Sequence, residues 1–167
     1  ICKKHNITYF LEGGSLLGAV RHKGFLPWDD DVDLCITRAE WKKLLAVIDE
    51  SLPAGREIYC YERYPQYLRE TVKYTNLNST VLFPNHILDG LAAGQHIDLF
   101  ILDPAPSDPK ELEEFTMLAT VYSELMTPVY VMCPDILAYQ EEYNKYRHLM
   151  KLKGRETVLQ MLRDKLY

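Results

Sequence analysis

Pro27-Trp28-Asp29-Asp30-Asp31-Val32-Asp33-Leu34-Cys35-Ile36 decides how this chain is read. At the period of two that a strand imposes, Val32, Leu34 and Ile36 turn one way, and Asp31 and Asp33 the other. Asp29 joins the acids where the extension starts early. The alternation predicts a strand over Asp31 to Ile36. Same-face neighbours on a strand lie roughly 7 Å apart, so two or three carboxylates crowd one face. Like charges at that range repel, and partial burial raises their pKa values further. A lone acidic run is ordinarily a solvated turn; the interleaved Val, Leu and Ile place this one in a core strand. A divalent cation reverses the repulsion, and hard oxygen ligands suit Mg²⁺ or Mn²⁺.

Two further stretches support that strand. In His96-Ile97-Asp98-Leu99-Phe100-Ile101-Leu102, Ile97, Leu99 and Ile101 share a face, and Asp98 shares the other with Phe100. An Asp is poorly favoured inside a strand. Asp98 is either a strand-edge residue with a local hydrogen bond or a third carboxylate meeting Asp31 and Asp33 across adjacent strands. Upstream, Glu12-Gly13-Gly14-Ser15-Leu16-Leu17-Gly18 follows a short strand over Ile7 to Leu11 and opens a helix over Ser15 to His22. A glycine pair admits close approach of a ligand to the backbone, and a helix N-terminus offers free N–H groups to phosphate. The turn is neither a Walker loop nor GxGxxG, and by itself it is equally an ordinary strand-to-helix turn.

The remaining pattern is mixed. Thr37-Arg38-Ala39-Glu40 is a capping box, and Trp41, Leu44, Leu45, Ile48 and Leu52 follow at helical spacing until Pro53-Ala54-Gly55. Ile58 to Tyr61 and Glu70 to Tyr74 read as strands. Asp108-Pro109 caps and opens a helix with Leu112, Phe115, Leu118, Ala119, Tyr122 and Leu125 on its apolar side. Pro134-Asp135 and Gly154 punctuate two more helices, the last burying Val158, Leu159, Leu162 and Leu166. Ile1 to Asn6 reads as the end of a helix. The expected fold is α/β (α+β), a mixed sheet flanked by helices, with a core over 1–107 and a helical C-terminal part over 108–167 packed on it as a single domain.

Composition excludes several classes. The 167 residues are 47% apolar and 26% charged, with a net charge of −5. That suits a folded domain with a core and offers no basic stripe for nucleic acid. No apolar run approaches the ~20 residues of a membrane helix. Cys2, Cys35, Cys60 and Cys133 lack zinc spacing and read as reduced thiols of a cytoplasmic protein. The chain opens at Ile1 rather than Met, and residues upstream, a targeting segment among the options, are expected. His5, His86, His96 and His148 share no ligand spacing and read as structural or surface residues. The basic residues between Tyr143 and Arg155 read as a solvated helix face.

The run from Gly13 through Arg21-His22-Lys23-Gly24-Phe25-Leu26-Pro27-Trp28 to Leu34 resembles the LicD family, which includes bacterial phosphorylcholine transferases and fukutin-related proteins. The resemblance covers about residues 5 to 50, with a second island at His96 to Asp103. It implies a nucleotidyltransferase-like fold. It implies Asp31 and Asp33 as a metal-binding pair, Asp98 as third carboxylate and proton acceptor, and Asp29 as a fourth ligand, around Mg²⁺ or Mn²⁺. Gly14 and Ser15 would contact donor phosphate, Arg21, His22 and Lys23 would either neutralise diphosphate charge or form a basic exposed turn, and Lys73 would be a phosphate or donor contact.

The reaction implied is transfer of a phosphorylcholine-like group from a CDP-linked donor, CDP-choline favoured, to a glycan hydroxyl, with release of CMP. The setting implied is modification of cell-surface glycans such as lipopolysaccharide or teichoic acid, in the cytoplasm or at the inner membrane face, with membrane association only through the acceptor. The same carboxylates would serve a nucleotidyltransferase that releases pyrophosphate, and a metal- or nucleotide-binding module without catalysis is the third reading. Tyr59, Tyr61, Tyr64, Tyr67 and Tyr74 could cage a quaternary ammonium, though core and surface packing is the ordinary reading of such tyrosines.

Overall fold

The computed structural model describes residues 1–67, 69–81, 91, 94–126 and 134–167. His86 and Cys133 lie outside them. The chain divides into two compact units, Ile1–Asp103 and Pro104–Tyr167.

The first unit is a five-stranded mixed sheet with helices. In chain order it holds α1 (Cys2–His5), β1 (Phe10–Leu11), α2 (Gly13–Arg21), β2 (Asp33–Thr37), α3 (Arg38–Ser51), β3 (Arg56–Tyr59), β4 (Val72–Asn76) and β5 (His96–Leu102). The strand order is β1-β2-β5-β4-β3. β2 and β5 run parallel, and every other pair is antiparallel. The crossover from β2 to β5 brings two distant acidic strands side by side.

Alternation sorts the sheet into two faces. Leu34 and Ile36 of β2, Leu99 of β5, Val72 of β4 and Ile58 of β3 share the apolar one, and they pack with Ile7 and with Trp41, Leu44 and Ile48 of α3. Each such side chain fully withdrawn from water contributes about 1.5–3 kcal/mol. Leu45 and Leu52 are only half-buried. The capping box starts α3 as its sequence requires: Thr37 Oγ1 accepts from Glu40 N at 3.4 Å. The Glu40 carboxylate, however, accepts from Thr8 N at 2.9 Å and so ties the segment before β1 to the start of α3.

Several boundaries differ from the sequence expectation. The strand expected over Ile7 to Leu11 is only Phe10–Leu11, because Asn6 closes α1 in the left-handed region and Ile7 turns into the core. β2 begins at Asp33 rather than Asp31. Its ladder with β5 starts where Asp98 N donates to Val32 O at 3.0 Å, and no rung lies upstream among the described residues. β3 and β4 are each shifted two residues from the expected spans, β3 toward the N-terminus and β4 toward the C-terminus, in an antiparallel register that pairs Arg56 with Asn76 and Tyr59 with Lys73.

The second unit is helical: α4 (Pro109–Met126), a 3₁₀ turn (Pro134–Tyr139), α5 (Gln140–Lys153) and α6 (Arg155–Leu166). Asp108 Oδ1 caps α4 by accepting from Lys110 N at 2.9 Å and Glu111 N at 3.1 Å. Leu118, Val121, Tyr122 and Leu125 are buried, whereas Leu112, expected on the apolar side, is exposed. α6 buries Val158, Leu159 and Leu162. Among the described residues no helix is long and apolar enough to cross a membrane.

Candidate active site

The polar face of the sheet carries Asp33, Asp98 and Lys73 in one row. Asp33 pairs with Asp98 across the parallel β2–β5 register, and Asp98 pairs with Lys73 across the antiparallel β5–β4 register. Neighbouring strands lie about 4.8 Å apart, so the two carboxylates and the ammonium are set side by side by backbone pairing alone. Lys73 Nζ donates to Asp98 Oδ1 at 2.7 Å and to His96 Nε2 at 2.7 Å. Lys73 is buried, one of two buried polar residues among those described, with Thr75 on the same face.

The glycine turn closes onto this row. Glu12 N donates to Asp33 O at 3.0 Å, and Ser15 Oγ accepts from Asp33 N at 3.0 Å. Gly13 takes φ +50°, where L side chains are disfavoured, and a Cβ there would stand 3.3 Å from Asp33 Oδ2. A Cβ at Gly14 would collide with the Asp29 carboxylate. The two glycines therefore make room for two acids. Ser15 is spent on the backbone of Asp33, which ties the turn to the start of β2.

Charge is frustrated at this end of the sheet. The Asp33 carboxyl is pushed up first by desolvation and then by Asp31, Asp98 and Asp29, with Lys73 opposing. Desolvation also leads for Asp31, followed by Asp29, Asp30 and, last, Asp98. Asp29 Oδ2 is buried with no hydrogen-bond partner among the described residues. A buried carboxylate oxygen without a partner is costly in the free protein.

The donor set is all carboxylate, which is the chemistry of Mg²⁺ and Mn²⁺ sites. Among the described residues no three His, Cys, Asp or Glu side chains converge into a ready-made metal cage. Mg²⁺ ordinarily takes one or two carboxylates and fills its remaining positions with water and substrate phosphate. The repelling acids and the orphaned oxygen of Asp29 fit a cation of that kind.

The structure thus gathers Asp29, Asp31, Asp33, Asp98, Gly14, Ser15 and Lys73 at one end of β2 and β5. Arg21, His22 and Lys23 make local contacts beside this end, and Lys23 lines a cavity with Ser15 and Val32. The Arg21 guanidinium lies 5.9 Å from the centre of the Trp28 ring and its Nε donates to His22 Nδ1 at 3.3 Å. Lys23 Nζ donates to Val20 O at 3.0 Å, with Lys23 itself at φ 58°. All three are exposed. His96, read from sequence as structural or surface, pairs with Thr75 on the same face and its ring reaches Lys73. Its period-two spacing from Asp98 on one strand was the available signal.

Residues 6–92 match the family described as LicD/FKTN/FKRP, nucleotidyltransferase domain. The chain belongs to this family. The match takes in the glycine turn, the carboxylate strand and Lys73, and stops short of Asp98. The chain is similar to the lipopolysaccharide cholinephosphotransferase LicD of Haemophilus influenzae, 33% identical over 114 residues, which are 66% of this chain and 40% of that protein. It is 32% identical over 96 residues to an uncharacterized protein of Rickettsia prowazekii, covering 50% of this chain and 36% of that one. The human ribitol 5-phosphate transferase FKRP is 67% identical over 30 residues, 18% of this chain and 6% of that one. The chain therefore spans well under half the length of these relatives. No solved structure matches.

Proposed function

We propose that this chain carries the catalytic end of a phospho-alcohol transferase, moving a phosphorylcholine-like group from a CDP-linked donor to a glycan hydroxyl and releasing CMP. The observation that carries the reading is the pairing of Asp33 with Asp98 in a family whose members include a cholinephosphotransferase and a ribitol 5-phosphate transferase. Asp31, Asp33 and Asp98, with Asp29 beside them, would hold Mg²⁺ or Mn²⁺. When bound, the cation supplies charge neutralisation at the donor diphosphate and lowers the pKa of the attacking hydroxyl.

The protein's own groups do the rest. Phosphoryl transfer is chiefly positioning and electrostatic stabilisation. Ser15 and the backbone of Glu12 hold the start of β2, and through it the Asp33 carboxylate, in fixed register with the glycine turn. Asp98 has Oδ1 committed to Lys73, which leaves Oδ2 to take the proton of the acceptor hydroxyl. Lys73 adds a buried positive charge beside the point where phosphate charge develops.

The test is incubation with Mg²⁺ or Mn²⁺, a panel of CDP-alcohols and nucleoside triphosphates, and mixed glycan acceptors. CMP release that depends on the metal and disappears in Asp33→Ala supports the transferase. Pyrophosphate without CMP overturns it in favour of a nucleotidyltransferase, and neither product leaves a binding module.

A further inference from the structure

His96 opens β5 two residues before Asp98 and on the same face. Its Nδ1 lies 2.9 Å from Gly94 O, which can only accept, so Nδ1 carries the ring proton. Nε2 is then the lone-pair nitrogen, and it accepts from Lys73 Nζ at 2.7 Å. The anchor is closely packed: a Cβ at Gly94 would collide with Asn76 O, so its backbone is seated against the last residue of β4. The side chains of Lys73, His96 and Asp98 retain only 11%, 13% and 19% exposure. Asp98 Oδ2 stands 3.9 Å from His96 Nε2, outside hydrogen-bond range.

We propose that His96 is a positioning residue: it fixes the Lys73 ammonium against Asp98 Oδ1 and thereby reserves Asp98 Oδ2 for the reaction. A lysine is a point charge on a flexible four-carbon stem with three donors. One acceptor leaves its direction loose; a second, fixed acceptor defines it. The chain Gly94 O, His96, Lys73, Asp98 runs from backbone to reacting carboxylate without a break. With the imidazole acceptor removed, the ammonium keeps an unsatisfied donor in a mostly dry place and swings toward other anions, and Asp98 loses its orientation. The inference rests on the catalytic role proposed for Asp98.

Three variants separate the possibilities. His96→Leu removes the acceptor. His96→Asn keeps an amide near Gly94 O but does not reach Lys73. His96→Gln returns a carbonyl oxygen to the position of Nε2. Two measurements are made on each folded variant: acetylation of Lys73 by acetic anhydride, read by mass spectrometry against the exposed Lys43, and kcat and KM for CMP release from CDP-choline with Mg²⁺. Lys73 of the wild type is expected to be protected. In His96→Leu and His96→Asn its labelling rises severalfold and kcat falls roughly 10–100-fold, as losses of supporting shells do, while KM for the donor stays within about two-fold. His96→Gln restores both. Unchanged Lys73 labelling in His96→Leu and His96→Asn overturns the proposal, as does a His96→Gln that behaves like His96→Leu. The labelling pattern without CMP release from the wild type supports the clamp and sinks the transferase reading instead.

Discussion

Asp33 and Asp98 are direct partners in a parallel register, so two carboxylates far apart in the sequence sit on neighbouring strands with their side chains on one face. Backbone hydrogen bonding holds them there. Neither acid needs a partner side chain to find the other, and their repulsion is imposed by the sheet rather than relieved by it.

Removal of either acid should abolish turnover without unfolding the sheet. Asp33→Ala and Asp98→Ala each leave the apolar face untouched, since Leu34, Ile36 and Leu99 point the other way. A loss of several kcal/mol of transition-state stabilisation corresponds to a fall in kcat/KM of about three orders of magnitude or more. Circular dichroism should show native secondary structure in both variants. Turnover within ten-fold of wild type in either one would remove the acid from the site.

The same repulsion sets the pH dependence of stability. Desolvation and neighbouring acids raise the Asp31 and Asp33 carboxyls in the folded protein above the ordinary 3.8. The folded state therefore binds more protons than the unfolded one across that window, and stability falls as pH rises through it. The destabilisation is fully present above the raised folded values and absent below the unfolded ones. Without metal, Asp31→Asn/Asp33→Asn should melt higher than wild type at pH 7, by roughly 2–4 °C for each kcal/mol relieved, with the gap closing toward pH 4. Saturating Mg²⁺ should raise the wild-type Tm and leave the double variant unmoved. A gap that widens on acidification would contradict the sign.

Much of this was readable from the residues, and the failures share a cause. The bounds of β5 are legible because Gly94 and Pro104 flank an unbroken alternation of apolar residues. α3 and α4 are legible from their capping residues, whose chemistry is local. The expected β2 starts two residues early because alternation continues through Asp31, whereas the ladder ends where its neighbour ends, and the neighbour is set by register. The tie between His96 and Lys73 was invisible for the same reason: it spans two strands, and pairing between strands is a tertiary fact. Arg21, His22 and Lys23 adjoin in sequence, and the fold adds only what a sequence does not print: Arg21 lies over Trp28 and Lys23 donates to the Val20 carbonyl.

Away from the site, Arg38 offers a stability prediction with no effect on chemistry. Its Nε and Nη2 donate to Asp103 Oδ1 and Oδ2 at 2.8 and 2.5 Å, and Nη1 lies 3.8 Å from Glu62 Oε1, which also accepts from Trp41 Nε1 at 3.1 Å. This network ties the start of α3 to the residue after β5. Lysine keeps the charge and loses the planar fork. Arg38→Lys should cost about 1–2 kcal/mol of stability by urea denaturation, with kcat within two-fold of wild type. A neutral result would show that the second hydrogen bond contributes nothing.

Gly14 and Asp29 give the sharpest test of how the glycine turn serves the acids. An alanine at Gly14 would occupy the space of the Asp29 carboxylate, and that side chain would have to swing out. The backbone has no objection, since Gly14 lies inside α2 and is not among the positive-φ glycines. Alanine there should favour the helix by up to about 1 kcal/mol. Asp29→Ala removes the same carboxylate together with its unpartnered buried oxygen. Gly14→Ala and Asp29→Ala should therefore lower metal-dependent turnover by similar factors. The double variant should be no worse than either alone and should melt above wild type in the absence of metal. Additive losses in the double-mutant cycle would mean that Gly14 acts independently of Asp29, through direct approach of the donor phosphate to its backbone.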